Sequence, residues 1–237
     1  MTTAIVTAAG AGTRLGELGQ RHSKAMVPIA GRPLIDWGLQ RLRDAGVERI
    51  IVVAHADDAA LREFVRSTHR DVAVALQDER RGIADAISRA LPLIDDTAYL
   101  ACACDSLFDA DDIATIGARG QSRPGAAIVG VLAMQPGASA SRSAVRLDGE
   151  RVVAIVEKPP PGSIATELVA APLYWLPRAV DSYLSANTTR SERYVTSALS
   201  EYIADGGDVI GVRLRGRIEV TTAEDVAKAA RSLDGGG

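Results

Sequence analysis

The sequence predicts an α/β fold built on a mostly parallel sheet with helices on both faces. Its first half contains four short apolar runs rich in Val, Ile and Ala. The runs are continuous instead of alternating with polar residues, as expected of strands that are buried on both faces. Segments with helical periodicity separate them, and strands that alternate with helices are typical of crossover units in a parallel sheet. At 237 residues, the chain is long enough to bury a full core without disulfides.

The four strands of the first half are predicted from these apolar runs. They are TAIVTAA at 3–9, RIIVVAH at 49–55, DVAVALQ at 71–77 and TAYLACACD at 97–105. The last run contains both cysteines, Cys102 and Cys104, whose side chains would share one face of a strand. We expect them to be reduced core residues, because a redox or metal pair would require C-x-x-C spacing or further ligands nearby.

Helices are predicted from apolar residues that recur with helical spacing. The segment 33–45 opens with Pro33, carries an apolar stripe and stops at Gly46. Similar patterns cover residues 57–67, 82–91, 109–118 and 192–204. A final helix follows Thr222, which with Asp225 fits a capping box in its Asp variant.

The second half of the chain has the pattern of a mixed sheet. Apolar runs that read as strands are GAAIVGVLAM, ELVAAPLYWL, DVIGVRL and RIEV. The segment 143–159 predicts a hairpin with its turn at Asp148 and Gly149. No low-complexity linker divides the two halves. We therefore expect one domain over residues 1–237, with a smaller mixed-sheet lobe in its second half.

Composition and charge argue against several classes of protein. Hydrophobic residues make up 47% and charged residues 24% of the chain, close to the averages for soluble globular proteins. The net charge of −3 argues against a dedicated nucleic-acid binder, which usually carries a basic surplus. No window approaches the roughly 18 apolar residues needed to cross a bilayer. We expect a cytoplasmic protein without nucleic-acid or membrane partners.

The stretch AAGAGTRLGELGQRHSK, at 8–24, lies directly behind the first predicted strand. Gly10 and Gly12 let the backbone turn tightly and let a ligand approach main-chain N–H groups. Arg14 and Lys24 add positive charge to the same stretch. This combination predicts an anion-binding site.

Two common anion-binding motifs fit this stretch poorly. The phosphate loop of NTPases requires G-x-x-x-x-G-K-[ST], and no glycine here is followed directly by lysine. The dinucleotide fingerprint G-x-G-x-x-G would need a third glycine where Leu15 stands, and the next predicted helix begins only near Pro33. A dinucleotide oxidoreductase is therefore a distant alternative.

A longer loop that carries Arg14 and Lys24 resembles the N-terminal signature of the sugar-1-phosphate nucleotidyltransferases. That signature is G-x-G-T-R, a Lys ten residues after the Arg, and a P-x-x-G-x-P segment. The matching residues are Gly10, Gly12, Thr13, Arg14, Lys24, Pro28, Gly31 and Pro33. Ser23 is a departure, because members of this family usually have Pro before the Lys.

Four later blocks resemble the same family in the same order. LQDERRGIADAI resembles its base-recognition segment, and ACACDSLFD resembles its strand that ends in Asp. VVAIVEKP is similar to V-x-E-K-P, and IEVTTAEDVAKA is similar to the closing D-[IV]-x-T-P-E-D segment. The residues matched in these blocks are Gln77, Gly82, Asp105, Glu157, Lys158 and Glu219. Glu219 stands where many members have Asp.

The resemblance implies a Rossmann-like fold and an Mg²⁺-dependent reaction. A sugar 1-phosphate would attack the α-phosphorus of an NTP and release pyrophosphate. The attacking phosphate is already an anion, with a second pKa of about 6, so the reaction needs no activating base. It requires instead that charge be cancelled between two phosphate groups that are held in line.

The resemblance also implies the roles of single residues. The nucleotide-binding residues would be Ala8, Ala9, Gly10, Gly12, Thr13, Gln77 and Gly82. Arg14 would hold the leaving pyrophosphate and Lys24 would stabilise charge at the α-phosphate. Asp105 and Glu219 would hold Mg²⁺, and the acceptor would contact Glu157, Lys158 and Trp175. Residues up to about 120 would bind the nucleotide, and those from about 121 would bind the acceptor.

Two further interpretations stay open at this point. Glu219 and the short chain also resemble the compact cytidylyltransferases of the family, which act on phosphocholine, inositol phosphate or related phospho-alcohols. A non-catalytic module that binds nucleotides or nucleotide sugars is the other alternative, and Ser23 and Glu219 are the departures that favour it.

Overall fold

A nine-stranded sheet runs through both halves of the chain. The structure, a computed structural model, describes residues 2–10, 12–21, 23–134, 142–160, 163–185 and 192–234. Its strands are β1 (Thr3–Thr7), β2 (Pro28–Ile29), β3 (Arg32–Pro33), β4 (Arg49–His55), β5 (Ala73–Gln77), β6 (Ala98–Ala103), β7 (Ser106–Leu107), β8 (Ala127–Ala133), β9 (Ala144–Asp148), β10 (Arg151–Val156), β11 (Leu168–Pro177), β12 (Val209–Arg213) and β13 (Ile218–Glu219). The large sheet has the order β5-β4-β1-β6-β11-β8-β12-β10-β9, while β2 pairs with β3 and β7 with β13.

Helices connect most of these strands. They are α1 (Glu17–Arg21), α2 (Leu34–Asp44), α3 (Ala59–Thr68), α4 (Ile83–Ala90), α5 (Ala110–Ser122), α6 (Asp181–Ser185), α7 (Val195–Ala204) and α8 (Ala223–Asp234). The sequence predicted six of them, each with bounds shifted by a few residues, but not the five-residue helices α1 and α6, which are too short to show a periodic stripe. No helix among the described residues is both long and apolar enough to cross a membrane.

The sheet is parallel in the first half of the chain and mixed in the second. Strands β5, β4, β1 and β6 are all parallel, as predicted. Strand β11 then runs antiparallel to both β6 and β8, and β12 returns parallel to β8. The mixed part is therefore an extension of the same sheet instead of a lobe with a sheet of its own. All four parallel strands end at one edge, where ligands of open α/β sheets bind.

Buried side chains of the strands alternate between two helical layers. In β1, Ala4 and Val6 pack with α2, α3 and α5, whereas Ile5 packs with α4, α6 and α7. Both faces of the strand are therefore apolar, which is why its sequence shows a continuous run. Helices on both faces were predicted, and the structure confirms this arrangement.

The predicted hairpin and helix cap are both present. Strands β9 and β10 pair antiparallel on either side of the turn, and Gly149 has a φ of 59°. At the start of α8, the N–H of Thr222 donates to Oδ2 of Asp225 at 2.8 Å. The N–H of Asp225 donates in return to Oγ1 of Thr222 at 3.3 Å. This reciprocal pair satisfies N–H groups that the first turn of the helix leaves free.

The two cysteines are reduced and buried, as predicted. Cys102 and Cys104 both belong to the core layer beside α2, α3 and α5. Burial, with a smaller contribution from the nearby Asp105 carboxylate, raises the pKa of the Cys102 thiol to about 12. The thiol therefore stays protonated at neutral pH and behaves as a small apolar side chain.

Trp175 lies in the core against α5 and is only 7% exposed. Gly120 of α5 makes this contact possible, because a Cβ at that position would lie 2.3 Å from the indole ring. Trp175 therefore packs between the sheet and a helix. Strand β11 turns this side chain toward α5, and its predicted contact with the acceptor stays a prediction.

We expect Gly120→Ala to lower the free energy of unfolding by about 1–3 kcal/mol, because the new methyl group collides with the Trp175 ring. Gly117→Ala is the matched control on the same buried helix, since a Cβ there meets nothing within 4 Å. The control should be neutral or stabilising by up to about 1 kcal/mol. Urea unfolding of both variants checks this, and equal stabilities would contradict the packing described.

Candidate active site

A cavity of about 390 Å³ opens at the edge where the parallel strands end. The ends of three strands reach it through Thr7, Gln77 and Ala103. The glycine loop, which follows β1 and contains Gly10, Gly12 and Thr13, forms a second wall. The charged residues that line the cavity are Arg14, Lys24, Arg80, Asp105 and Glu192. Three cations and two carboxylates therefore surround one space.

The glycine loop is shaped by close contact with the segment that carries Lys24. Gly12 has a φ of 64°, in the left-handed region that favours glycine, and a Cβ there would lie 3.2 Å from Cβ of Lys24. Thr13–Leu15 then form a single 3-10 turn. Leu15 is buried, and the neighbouring Arg14 is exposed and lines the cavity. The loop thus presents the Arg14 side chain to a ligand.

Lys24 and Asp105 form an ion pair across the cavity. Nζ of Lys24 donates to Oδ2 of Asp105 at 2.5 Å, although 81 positions separate them in the chain. Their side chains are 13% and 28% exposed, so the pair is partly shielded from water. Oγ of Ser106 donates to the other carboxylate oxygen of Asp105 at 3.3 Å. The pair joins the segment that carries Lys24 to the end of β6.

Glu219 lies on the strand that pairs with the residue after Asp105. Glu219 is opposite Ser106 in the β13–β7 ladder, and the N–H of Val220 donates to the carbonyl of Asp105 at 2.8 Å. The backbone of β13 therefore lies beside Asp105, but Glu219 is not among the described residues that line the cavity. In the described ranges, no group of three or more His, Cys, Asp or Glu is placed to hold one.

Two arginines hold the Glu219 carboxylate. Nη2 of Arg142 lies 2.7 Å and Nη2 of Arg217 lies 2.9 Å from Oε2 of Glu219. Burial raises the pKa of Glu219, but the hydrogen bond from Arg142 and the charge of Arg217 outweigh it. The pKa is therefore below its ordinary value of 4.5. Glu219 is a carboxylate at neutral pH.

Gln77 and Gly82 shape the far wall of the cavity. Gln77 is only 2% exposed, and its Nε2 donates to the carbonyl of Gly82 at 3.2 Å and to Oδ2 of Asp85 at 2.7 Å. Gly82 has a φ of 94°, and a Cβ there would lie 2.4 Å from the carbonyl oxygen of Arg193. The N–H of Ala84 donates to that carbonyl at 3.2 Å. Only glycine fits this contact.

Glu157 and Lys158 lie outside this cavity. The Glu157 carboxylate accepts hydrogen bonds from the hydroxyls of Ser143 and Thr196. Nζ of Lys158 donates to the hydroxyl of Tyr194 at 2.7 Å and lies 4.6 Å from the centre of its ring. The hydroxyl of Tyr194 donates in turn to Glu192, which lines the cavity. This chain of contacts connects Lys158 to the cavity wall.

The structure brings most of the predicted nucleotide-binding residues together at the cavity. Those that line it are Ala9, Gly10, Gly12, Thr13, Gln77 and Gly82, together with Arg14, Lys24 and Asp105. Ala8 is buried directly behind β1, where its N–H donates to the carbonyl of Val53. Sequence reasoning missed Arg80, whose Nε donates to the carbonyl of Ala9 at 3.1 Å. The sequence signal that could have identified Arg80 was a positive charge three residues after the predicted base-binding residue Gln77.

Comparisons with known proteins agree with this geometry. A profile of the nucleotidyl transferase family matches residues 3–232. The UTP–glucose-1-phosphate uridylyltransferase AglF of Haloferax volcanii is 27% identical over 237 residues, which cover 97% of this chain and 96% of that protein. The bifunctional protein GlmU of Pelobacter propionicus is also 27% identical, over 97% of this chain but 52% of its own length. The chain thus spans about half of that relative.

Solved structures share the fold of the chain. A UDP-glucose pyrophosphorylase in complex with UDP-glucose superposes with a TM-score of 0.87 at 19% identity, over 99% of each chain. The inositol-1-phosphate CTP transferase from T. maritima gives a TM-score of 0.84 at 19% identity, over 100% of this chain and 97% of that one. The predicted Rossmann-like α/β fold is confirmed.

We expect Arg142→Ala to raise the titration midpoint of Glu219, because one of the two guanidinium groups that favour its charged form is removed. In the native protein, the lowered pKa stabilises the fold above pH 4.5, and this contribution disappears as the pH falls through the lowered value. NMR titration of the carboxyl carbon measures the midpoint. Arg119→Ala, which removes a partner of Glu150 instead, should leave it unchanged. An unaltered midpoint in Arg142→Ala would contradict the assignment.

Proposed function

The chain belongs to the nucleotidyl transferase family, and from this premise we propose that it transfers a nucleoside monophosphate from an NTP to a sugar 1-phosphate. The products are a nucleoside diphosphate sugar and pyrophosphate. The observation that carries this proposal is the convergence of the glycine loop, Arg14, the Lys24–Asp105 pair and Gln77 on one cavity at the sheet edge. The name of the uridylyltransferase relative supports the choice of a sugar 1-phosphate.

The cavity has the groups that a triphosphate requires. Phosphates can approach the backbone N–H groups of Gly10, Gly12 and Thr13 closely, since the two glycines carry no Cβ. Arg14 holds the β- and γ-phosphates, which leave as pyrophosphate. Lys24 neutralises the charge that develops at the α-phosphate. Arg80 adds a third cation to the same space.

A divalent metal ion is generally used by this family, and the residues present fit Mg²⁺. Asp105 and Glu219 offer hard carboxylate oxygens from two segments that are joined by the hydrogen bond from the N–H of Val220 to the carbonyl of Asp105. Two protein carboxylates suit Mg²⁺, which keeps several waters and takes further oxygens from phosphates. When bound, the ion would supply positive charge between the phosphates. Arg142 and Arg217 hold Glu219 ionised, which keeps it able to act as a ligand.

The acceptor is proposed to bind on the side of Lys158. Lys158 has a φ of 46°, in the left-handed region that residues other than glycine rarely adopt. A backbone of this kind often marks a functional position. The hydrogen bond to Tyr194 raises the pKa of Lys158 above its ordinary value, so the ammonium group stays charged and can bind a phosphate. Glu157 would then accept from acceptor hydroxyls. Residues after about 120 thus bind the acceptor, and earlier residues bind the nucleotide.

A second candidate is a cytidylyltransferase that acts on a phospho-alcohol such as phosphocholine or inositol phosphate. Glu219, at the position where many members have Asp, is the observation that favours it. The cavity and the three cations would serve either acceptor, since both carry a phosphate monoester. The two candidates therefore differ in the acceptor and the base but not in the proposed mechanism.

We expect Arg14→Ala and Lys24→Ala each to lower turnover by about 100-fold or more, because each removes fixed positive charge from the transition state. Pyrophosphate release at saturating substrate measures the effect, and thermal unfolding checks that both variants fold. Arg66→Ala, an exposed cation on α3, is the control and should retain the native rate. The mechanism is wrong if both cavity variants release pyrophosphate at nearly the native rate.

A matrix of four NTPs against sugar 1-phosphates and phospho-alcohols tests the proposed reaction. We expect pyrophosphate release with a sugar 1-phosphate, and its loss when Mg²⁺ is removed by a chelator. Release with phosphocholine or inositol phosphate alone would favour the cytidylyltransferase. Thermal stabilisation by NTPs without any pyrophosphate would instead identify a non-catalytic binding module.

A further inference from the structure

The amide group of Gln77 is held by two acceptors. One N–H of its Nε2 points to Oδ2 of Asp85 at 2.7 Å, and the other points to the carbonyl of Gly82 at 3.2 Å. Both hydrogens of the NH₂ group are therefore in use within the protein. Because Gln77 lines the cavity, its carbonyl oxygen Oε1 is the atom left for a ligand.

The chemistry of these partners fixes the orientation of the amide. A carboxylate and a backbone carbonyl can only accept hydrogen bonds, so neither could face Oε1 without repulsion. Asp85 is itself held in place by Arg89, whose Nη2 lies 3.1 Å from Oδ1. Asp85 is also shielded, with 18% of its side chain exposed. The amide of Gln77 therefore cannot turn over to offer N–H groups to a base.

We infer that Asp85 is a positioning residue for base recognition, which makes Gln77 a fixed hydrogen-bond acceptor toward the nucleobase. This inference rests on the proposed function and extends it to the class of base. A fixed acceptor matches a base whose ring nitrogen carries a hydrogen, as in uracil, thymine or guanine. The corresponding ring nitrogen of cytosine and adenine carries a lone pair, which Oε1 would repel, so that only the exocyclic amino group of these bases could donate to it.

Equilibrium binding to the native protein, without acceptor, gives the first test. Two matched pairs are compared, UTP with CTP and GTP with ATP, so that ring size is constant within a pair. In the pair that the cavity accepts, we expect the member with a ring N–H to bind at least about tenfold more tightly. UTP methylated at N3 should bind as weakly as CTP if pyrimidines are accepted. UTP methylated at C5 is the control, since its ring N–H is intact.

Asp85→Asn gives the second test, because an Asn side chain can donate to Oε1 and so permits Gln77 to turn over. We expect the ratio of affinities within the accepted pair to fall by about tenfold. Asp95→Asn is the same chemical change at a fully exposed side chain and should leave the ratio unchanged. A purely structural role for Asp85 would weaken both members of the pair equally.

The outcomes separate this inference from the proposed function. Equal or reversed affinities within the accepted pair of the native protein, or an unchanged ratio in a folded Asp85→Asn variant, would overturn the inference alone. Tight binding of CTP with pyrophosphate release would do the same while supporting a nucleotidyltransferase. Absence of binding by all four NTPs would overturn both.

Discussion

The contact on which the site depends is the ion pair between Lys24 and Asp105. It joins a loop near the start of the chain to the end of a central strand, and it fixes the distance between two walls of the cavity. Neither residue belongs to a long helix or strand. The segment that carries Lys24 is otherwise held by packing, with Ala25 buried in the core and Cβ of Lys24 close to Gly12. A partly shielded pair also resists screening by salt better than an exposed one. The shape of this wall of the cavity is therefore set by charge as well as by packing.

Two carboxylates near the cavity are paired with cations in the resting protein. Asp105 is paired with Lys24, and Glu219 with Arg142 and Arg217. Such pairs lessen the repulsion that uncompensated charges would cause in a folded protein. A triphosphate that enters this space meets cations already in position, so that little reorganisation is needed. Preorganised charge of this kind is the main contribution that a protein can make to phosphoryl transfer.

Much of the fold and most of the nucleotide side of the cavity could be predicted from the sequence. Apolar runs and helical stripes located the main strands and helices because both depend on local periodicity. The core layer that Trp175 enters could not be predicted, since a strand that is apolar on both faces does not indicate which helical layer a given side chain packs against. The pairing of Glu219 with Arg142 could not be predicted either, because Arg142 lies 77 positions away in the chain and meets Glu219 only in the folded protein.

The contact between Gly82 and Arg193 joins the two halves of the chain. The backbone of Arg193, which follows α6 in the chain, forms hydrogen bonds with the turn that contains Gly82. The buried guanidinium of Arg193 is held in place by Glu201 and by the carbonyl of Tyr183. The halves are thus not interchangeable modules. A chimaera that takes residues 1–120 from one relative and the remainder from another would separate two surfaces that are in close contact in this chain. A graft between relatives should therefore transfer the turn at Gly82 together with the backbone segment at Arg193.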